Sequence, residues 1–145
     1  MVVPKRDWIL LALRKRPLDR IRIMKTLFLL WHRSGRNIEG YFHFEPYLYG
    51  PCSFDVYTEL NQLMKEGAIV QPVYPIQHWA PYYLTPKGIK LAEEAKRRVE
   101  IEKRKQIEKI ADEVSQLGFY ELLRRVYSES PDFAKNSLLK GVIQR

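Results

Sequence analysis

Few residues of the chain have types and spacings that could carry out chemistry. The chain has three histidines, none with a second metal ligand at the spacing of a zinc site: His32, His43 and His78. Cys52 follows His43 across a turn, but no matching pair exists elsewhere, so no metal site is expected. Glu39 and Glu45 flank an aromatic segment and could act as paired carboxylates. No pattern brings them together, and loop charges are the better interpretation.

The known catalytic motifs are also missing from the sequence. It contains no phosphate-binding loop, no nucleotide fingerprint and no Gly-x-Ser-x-Gly elbow. We therefore expect no enzyme and no cofactor, which leaves a binding function.

Charge is the strongest indication of a binding partner. The net charge is +8, and residues 1–36 contain ten basic and two acidic residues, while basic and acidic residues balance in the rest of the chain. A local positive field of this kind usually faces a polyanion, nucleic acid first and an acidic protein second. The alternative is that these residues only keep the domain soluble. The residues predicted to contact phosphates are Arg20, Arg22, Lys25, Arg33 and Arg36.

Two N-terminal helices are predicted to carry these cations. The first extends from about Lys5 to Lys15, and Pro17 ends it. The second begins after Asp19, a suitable cap, and ends near Gly35. Its outward face is predicted to carry Arg22, Lys25, Leu29 and Arg33.

A third helix is predicted from Ser53 to Glu66, because Gly50-Pro51 marks a turn before it and Gly67 a stop after it. Ser53 is expected to cap it through its side chain. Its buried stripe is predicted to contain Val56, Tyr57, Leu60, Leu63 and Met64.

The outward face of this third helix has side chains suited to reading DNA bases. Asn61 and Gln62 fit adenine, Lys65 fits guanine, and Thr58 lies beside them. Three acidic residues against one lysine give the helix a net charge of −2, which opposes contact with phosphates: Asp55, Glu59 and Glu66. Either the basic first helices hold DNA, or the module binds protein instead.

Two β-rich segments, residues 68–74 and 82–85, are predicted to pair antiparallel around a loop at 75–81. Residues 37–45 are predicted to form a short strand or tucked loop that could pair with the same sheet. A helix followed by such a hairpin is the core of a winged helix. We therefore predict an α+β, mostly α fold, with a winged helix-turn-helix domain over residues 1–88.

Residues 89–145 are predicted to form a C-terminal helical extension of the same structural unit. One long helix is expected from Pro86 through Leu117, with a charged, solvent-exposed middle at 96–105. A second apolar seam either packs on the same chain or forms a homodimer, and it contains Ile107, Ile110, Val114 and Leu117.

Aromatic residues near the third helix suggest a protein partner. We predict that Tyr47 and Trp79 contact it, Trp79 because it lies at the presumed loop tip, whereas Tyr49 and Tyr57 are expected in the core.

Two phrases resemble known families. Leu84-Thr85-Pro86-Lys87-Gly88 resembles the end of the wing in regulators of the MarR and PadR kind. The longer run from Phe44 to Tyr57, with Pro46–Pro51 before the third helix, resembles the SocA-like (Panacea-domain) and YwgA-type proteins, and the resemblance covers roughly residues 7–90 and the tail around residues 127–137. This resemblance implies a winged helix without catalytic residues. Members of the group have been linked to toxin neutralisation or have no assigned role.

The leading expectation is thus a DNA-binding regulator that contacts double-stranded DNA. The alternative is a protein-binding antitoxin or adaptor. With one cysteine, no leader pattern and no long apolar run, we expect a cytoplasmic protein without disulfides or a membrane segment.

Overall fold

The computed structural model of the protein describes residues 2–72 and 79–138. Within these residues it has six α-helices and two small two-stranded sheets, so the predicted α+β, mostly α class is confirmed. The helices are α1 (Lys5–Leu13), α2 (Arg20–Arg33), α3 (Phe54–Lys65), α4 (Pro86–Arg98), α5 (Ile101–Ser115) and α6 (Phe119–Glu129). The strands are β1 (Glu45–Tyr47), β2 (Gly50–Cys52), β3 (Ile69–Val70) and β4 (Tyr83–Leu84), and a 3-10 helix covers Pro131–Ala134.

Helix α1 lies at the centre of the fold, and all its residues from Asp7 to Leu13 are buried. Helix α2 begins where predicted, because the Asp19 carboxylate accepts a hydrogen bond from the Arg22 backbone N–H at 2.9 Å. The predicted outward face of α2 is wrong in part. Lys25 and Leu29 are buried, since α2 packs against α1, α5, α6 and β2 around most of its circumference.

Strands β1 and β2 form a hairpin at the point where the sequence predicts only a turn. Gly50 has φ +91°, which a residue with a side chain rarely adopts, and this allows the chain to reverse before Pro51. Pro46 lies opposite Pro51, and neither has an N–H, so the ladder hydrogen bonds come from the pairs on either side. Residues 41–44 do not pair with β3 or β4. They form the tucked loop that was the other alternative, with three buried rings: Tyr41, Phe42 and Phe44.

Helix α3 confirms the predicted third helix. Leu60 is buried, and Gly67, with φ +76°, follows the end of the helix. Two details are wrong: Met64 is exposed, and the buried Ser53 hydroxyl makes no capping bond and has no partner among the described residues.

Strands β3 and β4 pair antiparallel, as predicted, with Ile69 opposite Leu84 and Val70 opposite Tyr83. An isolated bridge between Leu18 and Tyr82 joins the α1–α2 connection to the same sheet. Of the predicted strand segment 68–74, only residues 69–70 form a strand among the described residues, and residues 71–72 lie beyond the end of that strand. Residues 73–74 and most of the predicted loop, including His78, lie outside the described residues.

The residue types of the segment 84–88 have a local structural explanation. The Thr85 hydroxyl accepts a hydrogen bond from the Gly88 N–H at 3.1 Å and donates to the Gly67 carbonyl at 2.6 Å, while Pro86 starts α4. A Cβ at position 88 would lie 2.0 Å from the Ala68 carbonyl oxygen. Only glycine therefore allows the start of α4 to pack so closely against the backbone of Ala68, which follows the end of α3.

The single long helix predicted over residues 86–117 is wrong. The chain breaks at Val99, whose backbone is extended and whose side chain is buried, and α5 begins two residues later. Val99 inserts into the core, and both α4 and α5 can then pack on α1. The other residues of 96–105 are exposed or partly exposed, as predicted.

The predicted apolar seam is buried within the chain. Ile107, Ile110 and Val114 are at most 3% exposed, and α5 packs on α1 and α2, while Leu117 is only partly buried. A homodimer through the same seam would require this packing to open.

Introducing a charge into this seam should destabilise the protein strongly. We expect Val114→Asp to lower the free energy of unfolding by about 3 kcal/mol or more, because an unpaired carboxylate would be buried. Urea unfolding measures this, with Lys109→Asp at an exposed position of α5 as the control. Equal effects of the two substitutions would mean that the seam does not stabilise the fold.

Candidate functional site

The outward face of α3 is open to solvent, as the sequence predicts. Thr58, Asn61, Gln62 and Lys65 are all exposed. The Gln62 amide donates to Glu66 at 3.0 Å, and the Thr58 hydroxyl donates to a backbone carbonyl of the preceding turn at 3.3 Å. Asn61 and Lys65, by contrast, make no side-chain hydrogen bond or ion pair with the described residues.

The acidic residues of α3 have partners on α1 that the sequence analysis missed. Lys5 lies 3.1 Å from Asp55, and Arg6 lies 2.9 Å from Glu66. These two cations offset the net negative charge of the helix. No local pattern could have revealed the pairing, because the partners are 50 and 60 residues apart.

Two of the cations predicted to contact phosphates pair with acidic groups of the same chain. Arg22 forms an ion pair with Asp19 and donates to the Leu117 carbonyl at 2.8 Å. Arg33 lies 2.6 Å from Glu129 and 2.8 Å from Glu113. The hydrogen bond with Glu129, more than that with Glu113, raises the pKa of Arg33.

Arg36 is held in the same way. Its guanidinium bonds both carboxylate oxygens of Asp132, at 2.9 and 3.1 Å, and lies over the rings of Trp31 and Phe133. Arg36 therefore ties the end of α2 to the 3-10 helix.

The two remaining cations of this set approach the hairpin. The Arg20 guanidinium lies 5.2 Å from the centre of the Tyr57 ring, and its buried Nε has no partner among the described residues. Lys25 is 3% exposed and donates to the Pro51 carbonyl at 3.1 Å.

The charge excess of the first 36 residues is therefore largely balanced inside the folded chain. Eight of its ten basic residues form ion pairs, five of them with acidic groups of α4 to α6 or the 3-10 helix that follows. Most basic residues of this segment would therefore have to leave an acidic partner in order to bind a phosphate.

An exposed aromatic surface lies on the hairpin and the start of α3. We call it the hairpin face, and it consists of Tyr47, Leu48, Tyr49, Phe54 and Tyr57. The first four are 39–59% exposed, and the ring of Phe54 lies 5.8 Å from that of Tyr47 and 6.1 Å from that of Tyr57. Tyr49, predicted in the core, is exposed, and Tyr57 is only partly buried. Contiguous exposed apolar groups of this kind usually mark an interaction site.

A cavity of about 50 Å³ opens at the hairpin face. Lys25 lines it together with Met24, Cys52 and three tyrosines of the hairpin face. Burial lowers the pKa of Lys25 to about 8, against an opposing effect of Cys52. Burial also raises the pKa of the Cys52 thiol and raises that of Tyr57 to about 12.

Neither the exposure of Phe54 nor the burial of Lys25 was predicted from the sequence. Phe54 lies one turn before Thr58, so its helical spacing could have placed it on the outward face of α3. No local sequence pattern predicts that Lys25 is buried, because the residues that cover it come from the hairpin.

Trp79 occupies a less exposed position than the sequence predicts. It is partly buried, and its ring lies 5.2 Å from that of Phe119 at the start of α6. Phe119 also contacts Tyr49, at 5.8 Å between ring centres. Trp79 thus lies near the hairpin face rather than on a separate tip.

A larger cavity, of about 260 Å³, lies elsewhere, between the start of α1, residues 37–39 and the α4–α5 break. Its cations already have partners: Arg98 bonds Asp7 at 2.7 Å, and Lys103 bonds the Ser34 hydroxyl at 2.7 Å. The cavity at the hairpin face is the better candidate for a binding site. Lys25, which lines it, has no carboxylate partner among the described residues.

Comparison with models of protein families and with curated proteins finds no match for the chain. The resemblance to the Panacea group therefore stays a prediction. Within the described residues, no group of three or more His, Cys, Asp or Glu side chains could hold a metal ion. None of the helices in that part of the chain has the length and apolar character needed to cross a bilayer.

The buried amine of Lys25 should make stability depend on pH. Below about pH 8 the amine is protonated in both the folded and the unfolded chain, and the folded protein bears the cost of burying the charge. Between about pH 8 and pH 10.5 the folded amine is neutral while the unfolded amine still binds a proton, so this contribution to the free energy of unfolding rises with pH.

We expect the difference in unfolding free energy, wild type minus Lys25→Met, to increase by about 3 kcal/mol across this range. Urea unfolding at several pH values measures it. The subtraction removes the opposite effect of the tyrosines, which both proteins share. A difference that does not change with pH would mean that the amine is not buried.

Proposed function

We propose that the protein is a protein-binding module of winged-helix architecture, and that its hairpin face contacts the partner. The observation that carries this proposal is the exposure of Tyr47, Tyr49 and Phe54 on one surface, while four of the five cations predicted to contact phosphates are paired or buried. Aromatic residues of this type commonly dominate the energy of protein interfaces.

The order of elements supports a winged helix. Helix α3 is followed directly by the antiparallel strands β3 and β4, and the bridge between Leu18 and Tyr82 adds the α1–α2 connection to that sheet. One departure is large: residues 34–53 separate α2 from α3, whereas a helix-turn-helix uses a turn of about three to four residues. In our proposal the hairpin is an insertion into this turn, and it carries the binding surface.

Electrostatics favours a protein partner over DNA at the arginines of α2. Exposed ion pairs contribute only about 0.2 to 1 kcal/mol each, so exchanging them for phosphates is not prohibited by energy alone. A phosphate that approached Arg33 would, however, also approach Glu113 and Glu129. The repulsion from these carboxylates would cancel much of the attraction.

The resemblance to Panacea-domain proteins supports the same conclusion. Its most specific phrase, Pro46 to Pro51, forms the hairpin on which the exposed aromatic residues lie. A toxin, or another protein that this module neutralises or delivers, is therefore the proposed kind of partner.

DNA binding through α3 is a second candidate function. The polar face with Asn61 and Lys65 is exposed, and Lys5 and Arg6 offset two of the acidic groups of the helix. In this case α3 would read bases, and the arginines of α2 would contribute little.

Photo-crosslinking tests the protein-binding proposal. A photoreactive amino acid at position 48, within the hairpin face, should form one discrete adduct with a protein in the source cells. The same group at Lys105, exposed on α5, is the control and should not form it. Tyr47→Ala should weaken binding of the purified partner by about 2 kcal/mol without changing the folded state. Adduct formation that is equal at both positions would contradict the proposal.

Duplex binding at about 50 and 200 mM salt separates the two candidate functions. A protein-binding module should show no steep loss of affinity between these salt concentrations. If α3 binds DNA, Lys65→Ala should reduce the slope of log K against log salt by about 0.9, the value for one phosphate contact, and Arg33→Ala should not. A reduced slope for Arg22→Ala or Arg33→Ala would instead show that the arginines of α2 contact phosphates despite their ion pairs, as predicted from the sequence.

A further inference from the structure

We infer that the hairpin face recognises an acidic side chain of its protein partner, and that the carboxylate of this Asp or Glu enters the cavity to pair with Lys25. The inference rests on the proposed protein-binding function and names the chemistry of the partner. It is carried by the geometry of the cavity and by the incomplete bonding of the lysine.

Lys25 is a buried cation without an anion. It is 3% exposed, its one hydrogen bond among the described residues is to the Pro51 carbonyl at 3.1 Å, and no carboxylate there lies within ion-pair distance. A lysine ammonium has three N–H donors. Fully buried lysines are rare unless they are paired, because an isolated charge is costly to remove from water.

A cavity at the hairpin face adjoins Lys25. Lys25 lines the cavity of about 50 Å³ whose other walls include Tyr47, Tyr49 and Tyr57. At about 10 to 15 Å³ for each water, this space holds roughly three to five waters, close to the size of a carboxylate with its methylene group. The rings that surround the opening would cover the methylene groups of the entering side chain.

The charges around the cavity favour an anion. Arg20 lies against Tyr57 on one side, and its Nε has no partner among the described residues. The nearest strand carboxylate, Glu45, is largely exposed and lies 3.4 Å from His43. The net charge of +8 also attracts acidic partners. A cationic or neutral side chain would leave the Lys25 ammonium as it is, buried and unpaired.

Selection from a random peptide library tests the inference. Peptides are selected on the wild-type protein and then tested against Tyr47→Ala, which identifies those that bind the hairpin face. We expect these peptides to share one Asp or Glu. Replacing that residue by Asn or Gln should weaken binding to wild type at least tenfold, as for a close charge pair.

Lys25→Met is the matched protein variant, because it keeps the apolar stem and removes the charge. It should weaken the binding of the acidic peptides at least tenfold. In this variant the Asp-to-Asn or Glu-to-Gln replacement in the peptide should no longer change the affinity, and this comparison isolates the contribution of the pair. Thermal unfolding shows whether the variant folds. If Lys25→Met does not fold, replacing the acidic residue of the peptide still tests the pair on the wild-type protein.

The outcomes separate the inference from the proposed function. Peptides that depend on Tyr47 but share no acidic residue would overturn the inference and leave the protein-binding proposal intact. Selected peptides that are all insensitive to Tyr47→Ala would contradict both. Self-association of the wild type that Tyr47→Ala abolishes would also overturn the inference, because a second copy would then occupy the face.

Discussion

The burial of α1 is the constraint on which the rest of the structure depends. A nine-residue helix whose last seven residues are all buried must be covered by α2, α3, α4 and α5 together. Even its acidic residue is enclosed: Asp7 is 1% exposed and pairs with Arg98 at the end of α4. Both α4 and α5 pack on α1, which a single straight helix over residues 86–117 could not do. The chain therefore turns at Val99.

The same arrangement determines where the charges lie. Because α4, α5 and α6 fold back over the N-terminal helices, their acidic side chains meet Arg14, Arg16 and Arg33. These contacts join residues about 80 to 100 apart in the sequence. The surface that remains distinctive is aromatic rather than basic, which is the basis of the proposed function.

Features with a local cause could be predicted from the sequence. The period of Val56, Leu60 and Leu63 and the stop at Gly67 place α3, and Asp19 places the start of α2. Features with a non-local cause could not. The break at Val99 depends on a core pocket built by other elements. The exposure of Tyr49 and the burial of Lys25 both depend on a hairpin whose residues 46–51 read as a simple turn, because prolines and a glycine are rare in strands.

The facing prolines of the hairpin have a further consequence. A free strand edge usually offers N–H and C=O groups to which another chain can add as a new strand. Pro46 and Pro51 remove two donors from a hairpin of three residue pairs, so this small sheet is poorly suited to extension. Exposed tyrosines can therefore stand on it with a reduced risk of edge-to-edge aggregation. The proposed recognition at this surface would then depend on side chains, which discriminate between partners, rather than on backbone pairing, which does not.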